Sequence, residues 1–227
     1  DVLGSRGLGD VYKRQFQNSG YGPVEKLGIP IIEGADYMES LPLGRTEWIR
    51  FYGMLFGKEA LADSIFRQTE KSYLDLKQLV TADMPRPTVI SEKKFGASWF
   101  MPAGDSYIAN MYADAGADYV FKELPGAGST PLAFETVLDR AIHADMWLIK
   151  YNQSEDMTYG DLRAEYAPYE NFDAFKNRRI YSCNTGLVPY YEEFPLHPDY
   201  LLKDLIWVFH PELLPGYSPR YYRKMQD

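Results

Sequence analysis

The chain has 227 residues, 45% of them hydrophobic, and a net charge of -8 with an isoelectric point near 5.0. That is enough apolar material for one sizeable core or two small lobes, and the acidic balance argues against binding nucleic acid, whose phosphates such a surface repels. No uncharged apolar run is long enough to cross a bilayer, and the single cysteine, Cys183, excludes an intramolecular disulfide or a thiolate zinc site. Aromatic residues are abundant, with 19 Tyr, 12 Phe and 4 Trp. Half-buried tyrosines of an α/β fold account for most of these, and a site that grips a flat or greasy molecule accounts for others.

Residues 1–15, DVLGSRGLGDVYKRQ, lack apolar periodicity and are read as a non-native scar, with a disordered natural N-terminus as the alternative. On the scar reading the gene begins upstream and any export signal is out of view. LGIPIIEG (27–34) predicts a short buried strand. TEWIRFYGMLFG (46–57) predicts a helix with Thr46 as N-cap and Gly57 as its stop. Over 58–80 a second helix is expected, with Leu61, Ile65, Tyr73, Leu76 and Val80 on one stripe. At the helical rise it is about 35 Å long, a candidate connector between lobes.

Beyond it, strands and helices alternate. A strand is expected at 88–94, then a helix at 105–115 capped by Asp105, with Ile108, Met111, Tyr112 and Ala115 inward and Gly116 at the exit. A short strand follows at DYVF. Thr130 and Pro131 open a helix that turns Phe134, Val137, Leu138, Ala141 and Ile142 inward. Strands at 145–151 and 178–184 flank a polar, tyrosine-rich excursion, and Pro198 begins a last, largely apolar helix. This order implies an α/β lobe with a mostly parallel sheet.

In such a sheet ligands bind beyond the carboxyl ends of the strands. The loops there supply the candidate site: Trp99, Phe100, Ser106 and Tyr107 after the first strand, Tyr151 and Asn152 after the next, and Tyr190, Tyr191 and Glu192 after the third. Trp99, Tyr107, Tyr151 and Tyr190 are expected to line one concavity, with packing under a loop as the alternative for each ring. Catalysis has less support. There is no G-x-S-x-G elbow, the 3 histidines lack H-E-x-x-H spacing, and adjacent Glu192 and Glu193 would point to opposite faces of an extended segment. No catalytic residue, metal site or cofactor is therefore assigned. A hydrolase acting on an aromatic or glycan substrate in the same cleft is the competing reading, and a surface protein binding haem directly is a third. Glu135, in the first turn of its helix opposite the apolar face, is either a dipole-matching surface carboxylate or a docking charge for a partner's arginine.

Taken together, LGIPII, PLGRTEWI, the helix at 58–80, SWFMPAGDSYIANMYADAGADYVF, LAFETVLDRAIHADMWLI and HPDYLLKDLIWVFHPELLP resemble the substrate-binding proteins of ABC importers for iron-siderophore complexes, haem and cobalamin. The resemblance runs from about residue 20 to the C-terminus. It implies a remnant of a first α/β lobe at 16–57, a linker helix at 58–82 and a Rossmann-like C-terminal lobe at 83–227. Glu135 would match the glutamate presented to an arginine pocket of the permease. Trp99 and Phe100 would match the aromatic cleft wall, and Tyr190, Tyr191 and Glu192 the loop that closes over the ligand. The chain departs from the cobalamin-type members by carrying Glu193 where they have arginine, and from the family by the near absence of the first lobe. The resemblance further implies a monomer in the periplasm or cell envelope, with or without a lipid anchor. Such a protein binds a metal chelate by modest closure and docks to an ABC permease.

Overall fold

The computed structural model describes residues 22–28, 30–32 and 34–227. The segment 1–15 lies outside them, as do two positions of the strand expected at 27–34. The chain divides into two compact units, Asp1–Tyr37 and Met38–Asp227. The division falls ahead of the helix that the sequence reading grouped with a first lobe. In the first unit the described residues form a 3-10 helix at Gly22–Leu27, and none of those in 27–34 is in a strand. Gly28 is left-handed at φ 64° and Pro30 offers no amide donor, so the run cannot join a ladder smoothly, and Leu27 and Ile32 are exposed.

The second unit opens with α1, Pro42–Leu55, and α2, Glu59–Lys77. Proline at the first turn of α1 needs no amide partner, so the helix begins earlier than expected. Thr46 is therefore not its cap but a buried residue inside it, whose hydroxyl donates to Pro42 O and Pro195 O at 3.2 and 3.1 Å. Gly57, at φ 62°, follows the end of α1 as expected. The second helix is about 28 Å long. Its buried stripe is Ala62, Phe66, Thr69 and Tyr73. The expected Tyr73 is on it and Leu76 and Val80 pack against the core, while Leu61 is exposed, so only the first turns lie one position round from the expectation. Gly53 sets that phase. A Cβ there would lie 2.5 Å from Ala62 Cβ, so the two helices cross where only glycine fits. The Tyr73 hydroxyl and the Lys77 ammonium both reach Asp114, at 2.6 Å each, tying α2 to the lobe.

The sheet is built from β1 (Thr88–Ser91), β3 (Asp118–Tyr119), β5 (Met146–Tyr151), β6 (Ile180–Asn184) and β7 (Arg223–Lys224). Its order is β3-β1-β5-β6-β7, parallel except for the antiparallel edge strand β7. A separate antiparallel ribbon pairs β2, Trp99–Pro102, with β4, Ser129–Leu132. The sequence reading had made these a loop and the opening of a helix. A two-stranded ribbon has free edges, so Pro131 is tolerated there without an amide.

Between these strands lie α3 (Tyr107–Asp114), α4 (Phe134–Ala141), α5 (Tyr159–Glu165), α6 (Asp173–Lys176), α7 (Tyr190–Glu193) and α8 (Pro198–Phe209). Ser106, not Asp105, caps α3, its Oγ accepting from Ala109 N at 3.3 Å. On α4, Phe134, Val137 and Ala141 are buried as expected. Trp147 on β5 sets one face of the sheet, where it packs with Trp99, Tyr169 and Phe172 at centroid distances of 5.4, 5.1 and 5.3 Å. Leu148, Lys150, Tyr181 and Cys183 point to the other face, where Tyr181 meets Trp207 of α8.

Candidate functional site

The carboxyl ends of β1, β5 and β6 leave the sheet at one edge, so the loops after them share a rim. Asn184, the last residue of β6, organises two of these loops. Its Oδ1 accepts from Gln153 N and Gly186 N at 3.1 Å each, and its Nδ2 donates to Glu155 O at 2.9 Å. Thr185 N donates to Tyr151 O at 2.8 Å. The backbones approach so closely that a Cβ on Gly186 would lie 2.7 Å from Gln153 O. These contacts fix where the rim side chains emerge.

At the end of β1, Glu92 has φ 64°, a left-handed conformation that costs a non-glycine residue about 1–2 kcal/mol. Its backbone is held on both sides: Glu92 N donates to Leu148 O at 2.8 Å and Glu92 O accepts from Trp147 Nε1 at 2.6 Å. The turn aims its carboxylate at Lys150, whose ammonium donates to Glu92 Oε1. Only 14% of the Lys150 side chain and 25% of that of Glu92 is accessible. Burial disfavours the Lys150 ammonium, but the Glu92 carboxylate together with the Tyr190 and Tyr112 phenols outweighs this and holds its pKa above the ordinary lysine range. Burial pushes the Tyr112 phenol and the Cys183 thiol nearby up to about 12, so neither ionises at neutral pH. Sequence reasoning missed Lys150 and Glu92, although a lysine inside MWLIKY is a readable anomaly.

The expected site residues separate. Trp99 is fully buried, its indole donating to Ser91 O at 3.0 Å, because strand alternation turns it inward and its neighbour Phe100 outward. Tyr151 is buried on the Trp147 side, its hydroxyl accepting from Met157 N at 2.7 Å. Tyr190 is buried on the opposite side, and half-buried Tyr107 shares Phe194 with it, at 4.9 and 5.3 Å. Trp99 and Tyr151 thus lie across the sheet from Tyr107 and Tyr190, and the four do not line one concavity. Ser106 is buried as a cap. Asn152, Tyr191 and Glu192 are exposed on the rim, and Glu135 is exposed in the first turn of α4. Glu192 and Glu193 are not an acid–base pair. Glu193 Oε2 instead accepts from Arg220 Nε at 2.5 Å and from the Tyr221 hydroxyl at 2.8 Å. Rim residues not singled out by the sequence pattern are Phe95, 81% exposed, and Leu187, 52% exposed; Tyr191, on α7, is 58% exposed.

A parallel sheet with an antiparallel edge, a long helix before it and apolar side chains at the strand tips agrees with the comparison to known families. The profile described as periplasmic binding protein matches residues 27–185. The chain belongs to that family. A lipoprotein of Methanocaldococcus jannaschii is 30% identical over 203 residues, covering 88% of this chain and 47% of the relative. The chain thus spans about half the length of that relative. Among solved structures, a TroA-like periplasmic binding protein, FepB, from Veillonella parvula matches with a TM-score of 0.68 at 19% identity, covering 95% of this chain and 70% of that one. An ABC-type Fe3+-hydroxamate transport protein from Saccharomonospora viridis matches with a TM-score of 0.65 at 15% identity, covering 88% and 71%. At such identities the likeness is one of fold. Members of the family hold solutes outside the cytoplasm, and among the described residues no helix is long and apolar enough to cross a membrane.

Proposed function

We propose that this chain is part of a substrate-binding protein that captures a metal chelate and delivers it to an ABC permease. The chelate is of the ferric-siderophore type, with haem and cobalamin as the other members of the class. The observation that carries the reading is the exposure of Phe95 and Leu187 on loops, and of Tyr191 on α7, following the carboxyl ends of β1 and β6. Large apolar side chains left exposed at the strand tips, outside a well-filled core, favour a binding surface over a packing one. Asn152 and Glu192 on the same rim supply polar anchors that orient a ligand, and Phe100 adds a ring on the neighbouring ribbon. The lipoprotein relative and the Fe3+-hydroxamate transport neighbour support an envelope location and an iron-chelate cargo.

Glu135 is proposed as the docking carboxylate. It is exposed, lies at the positive end of α4 and can meet a permease arginine without disturbing the core. The protein is proposed to act as a monomer. The test is titration of the chain with a ferric tris-hydroxamate, a ferric tris-catecholate, haem and cobalamin. Because the chain spans about half of its relative's length, binding of one class is expected to be weaker than micromolar Kd, and weakened about tenfold further when Phe95 and Tyr191 are both replaced by serine. Absence of detectable binding by every class even at about millimolar ligand overturns the reading.

A further inference from the structure

Resting on that reading, we infer that Lys150 is an oxyanion anchor masked by Glu92, and that a carboxylate or catecholate oxygen of the ligand takes the glutamate's place on the ammonium. The argument begins with what the fold does not require. Lys150 occupies a position on β5 whose neighbours on the same face, Leu148 and Cys183, are apolar or uncharged, with Tyr112 and Tyr190 packed close by. An apolar residue would serve the core as well there, since well-packed hydrophobic substitutes for a buried ion pair are often neutral or stabilising. The chain instead keeps the lysine and forces Glu92 into a left-handed turn to neutralise it. Strain of that kind on a non-glycine residue concentrates where a site is being held ready.

Position supports the same assignment. Both residues stand at the carboxyl ends of the two central strands, and both retain partial access to solvent. The other cations of the loop after β1 already have partners. Lys93 binds Glu165 at 2.5 Å, and Lys94 donates to Gly96 O at 2.8 Å and lies over the Tyr166 ring at 4.4 Å. Lys150 differs from them in standing within the sheet itself, one residue from the carboxyl end of β5, with 14% of its side chain accessible. A chain of net charge -8 needs such a local positive group if it is to hold an anionic chelate. Glu92 keeps the ammonium neutralised until a better acceptor arrives, which disfavours neutral or cationic solutes at this spot.

The test uses the 227-residue chain and two probes, a ferric tris-catecholate carrying negative charge and a ferric tris-hydroxamate of no net charge. A charge-assisted contact is worth roughly tenfold or more in affinity. Glu92→Gln should tighten the catecholate by about that factor and Lys150→Met should weaken it by as much, while the neutral probe changes less than about threefold in both. A purely structural ion pair gives the opposite pattern, with both variants weakening both probes alike, and that result overturns the inference. The double variant Lys150→Met with Glu92→Gln, neutral at both positions, guards against misfolding. It should retain the neutral probe and lose the tightening seen in Glu92→Gln. If the neutral probe binds wild type while the catecholate binds neither wild type nor Glu92→Gln, the anchor falls and the capture function stands. If no probe binds wild type, both fall.

Discussion

On one face of the sheet Trp99, Trp147, Tyr169 and Phe172 pack edge against plane, and both indole N–H groups are satisfied by backbone carbonyls of the β1 end. On the other face, also rich in rings, Tyr112 and Tyr190 lie close to the Lys150–Glu92 pair, Tyr112 sharing a hydroxyl contact with Ser91, and Tyr221 packs on Tyr190 and donates to Glu193. The first arrangement has no charge to compensate and tolerates little change of volume. The second can be perturbed electrostatically without emptying a cavity. The difference separates what keeps the lobe folded from what the proposed anionic ligand would rearrange.

The largest test of that division is Trp99→Ala. Removing a fully buried indole from the slab should cost about 3–5 kcal/mol, read as a lower urea midpoint at unchanged slope. A loss below about 1 kcal/mol would put the weight of the fold elsewhere. Next is Asp204→Ala on α8. The Asp204 carboxylate accepts from the amides of Arg220, Tyr221 and Tyr222 at 2.9, 2.6 and 2.9 Å and from the Tyr217 hydroxyl at 2.7 Å. Its loss strands buried donors and should cost about 2–4 kcal/mol, with Asp204→Asn costing less. The slab should be undisturbed, so near-ultraviolet dichroism from Trp99 and Trp147 should persist below the transition.

Much of this division could not be read from the chain. Alternating strands and helices, the exits at Gly57 and Gly116 and the inward face of α4 are written in local pattern, and the structure has them. SWFMP is different. Read as a loop, it exposes Trp99 and Phe100 together; as a strand, it must hide one and show the other. The partner that makes it a strand, β4, lies about thirty residues away at a proline-containing segment that resembles a helix start. Likewise, the phase of the first turns of α2 is set by Gly53, a contact between two helices that periodicity within one of them cannot reveal. Glu92 meets Lys150 only because parallel β1 and β5 are adjacent in register, Ser91 opposite Leu148. Each omission is a long-range pairing imposed on an ordinary local sequence.

A smaller effect sharpens the view of the rim. Gly186→Ala should push the loop after β6 off Gln153 O, costing about 1–3 kcal/mol and weakening any ligand that bridges Asn152 and Leu187. Equal stability and affinity in this variant would mean that the two loops adjust independently. The smallest effect is that of Arg220→Met. The Arg220 guanidinium holds the Glu193 carboxyl below its usual pKa. A carboxyl depressed in the folded state adds stability above its unfolded value near ~4.3, and that stability is lost as pH falls through the lower folded value. Wild type should exceed the variant by about 0.5–1 kcal/mol at pH 7, and the gap should close as the solution is acidified below about pH 4. A gap that stays constant with pH would assign the contact to packing alone.

The grip of Asp204 on three consecutive amides has a consequence for how the lobe matures. Arg220 and Tyr221, which brace α7 through Glu193, are positioned only once that carboxylate has been engaged. During synthesis the slab can assemble from residues already emerged, while the Tyr190–Glu193 turn waits for chain made some thirty residues later. The aromatic slab should thus close before the α7 turn is braced, the second step trailing the first as the chain emerges.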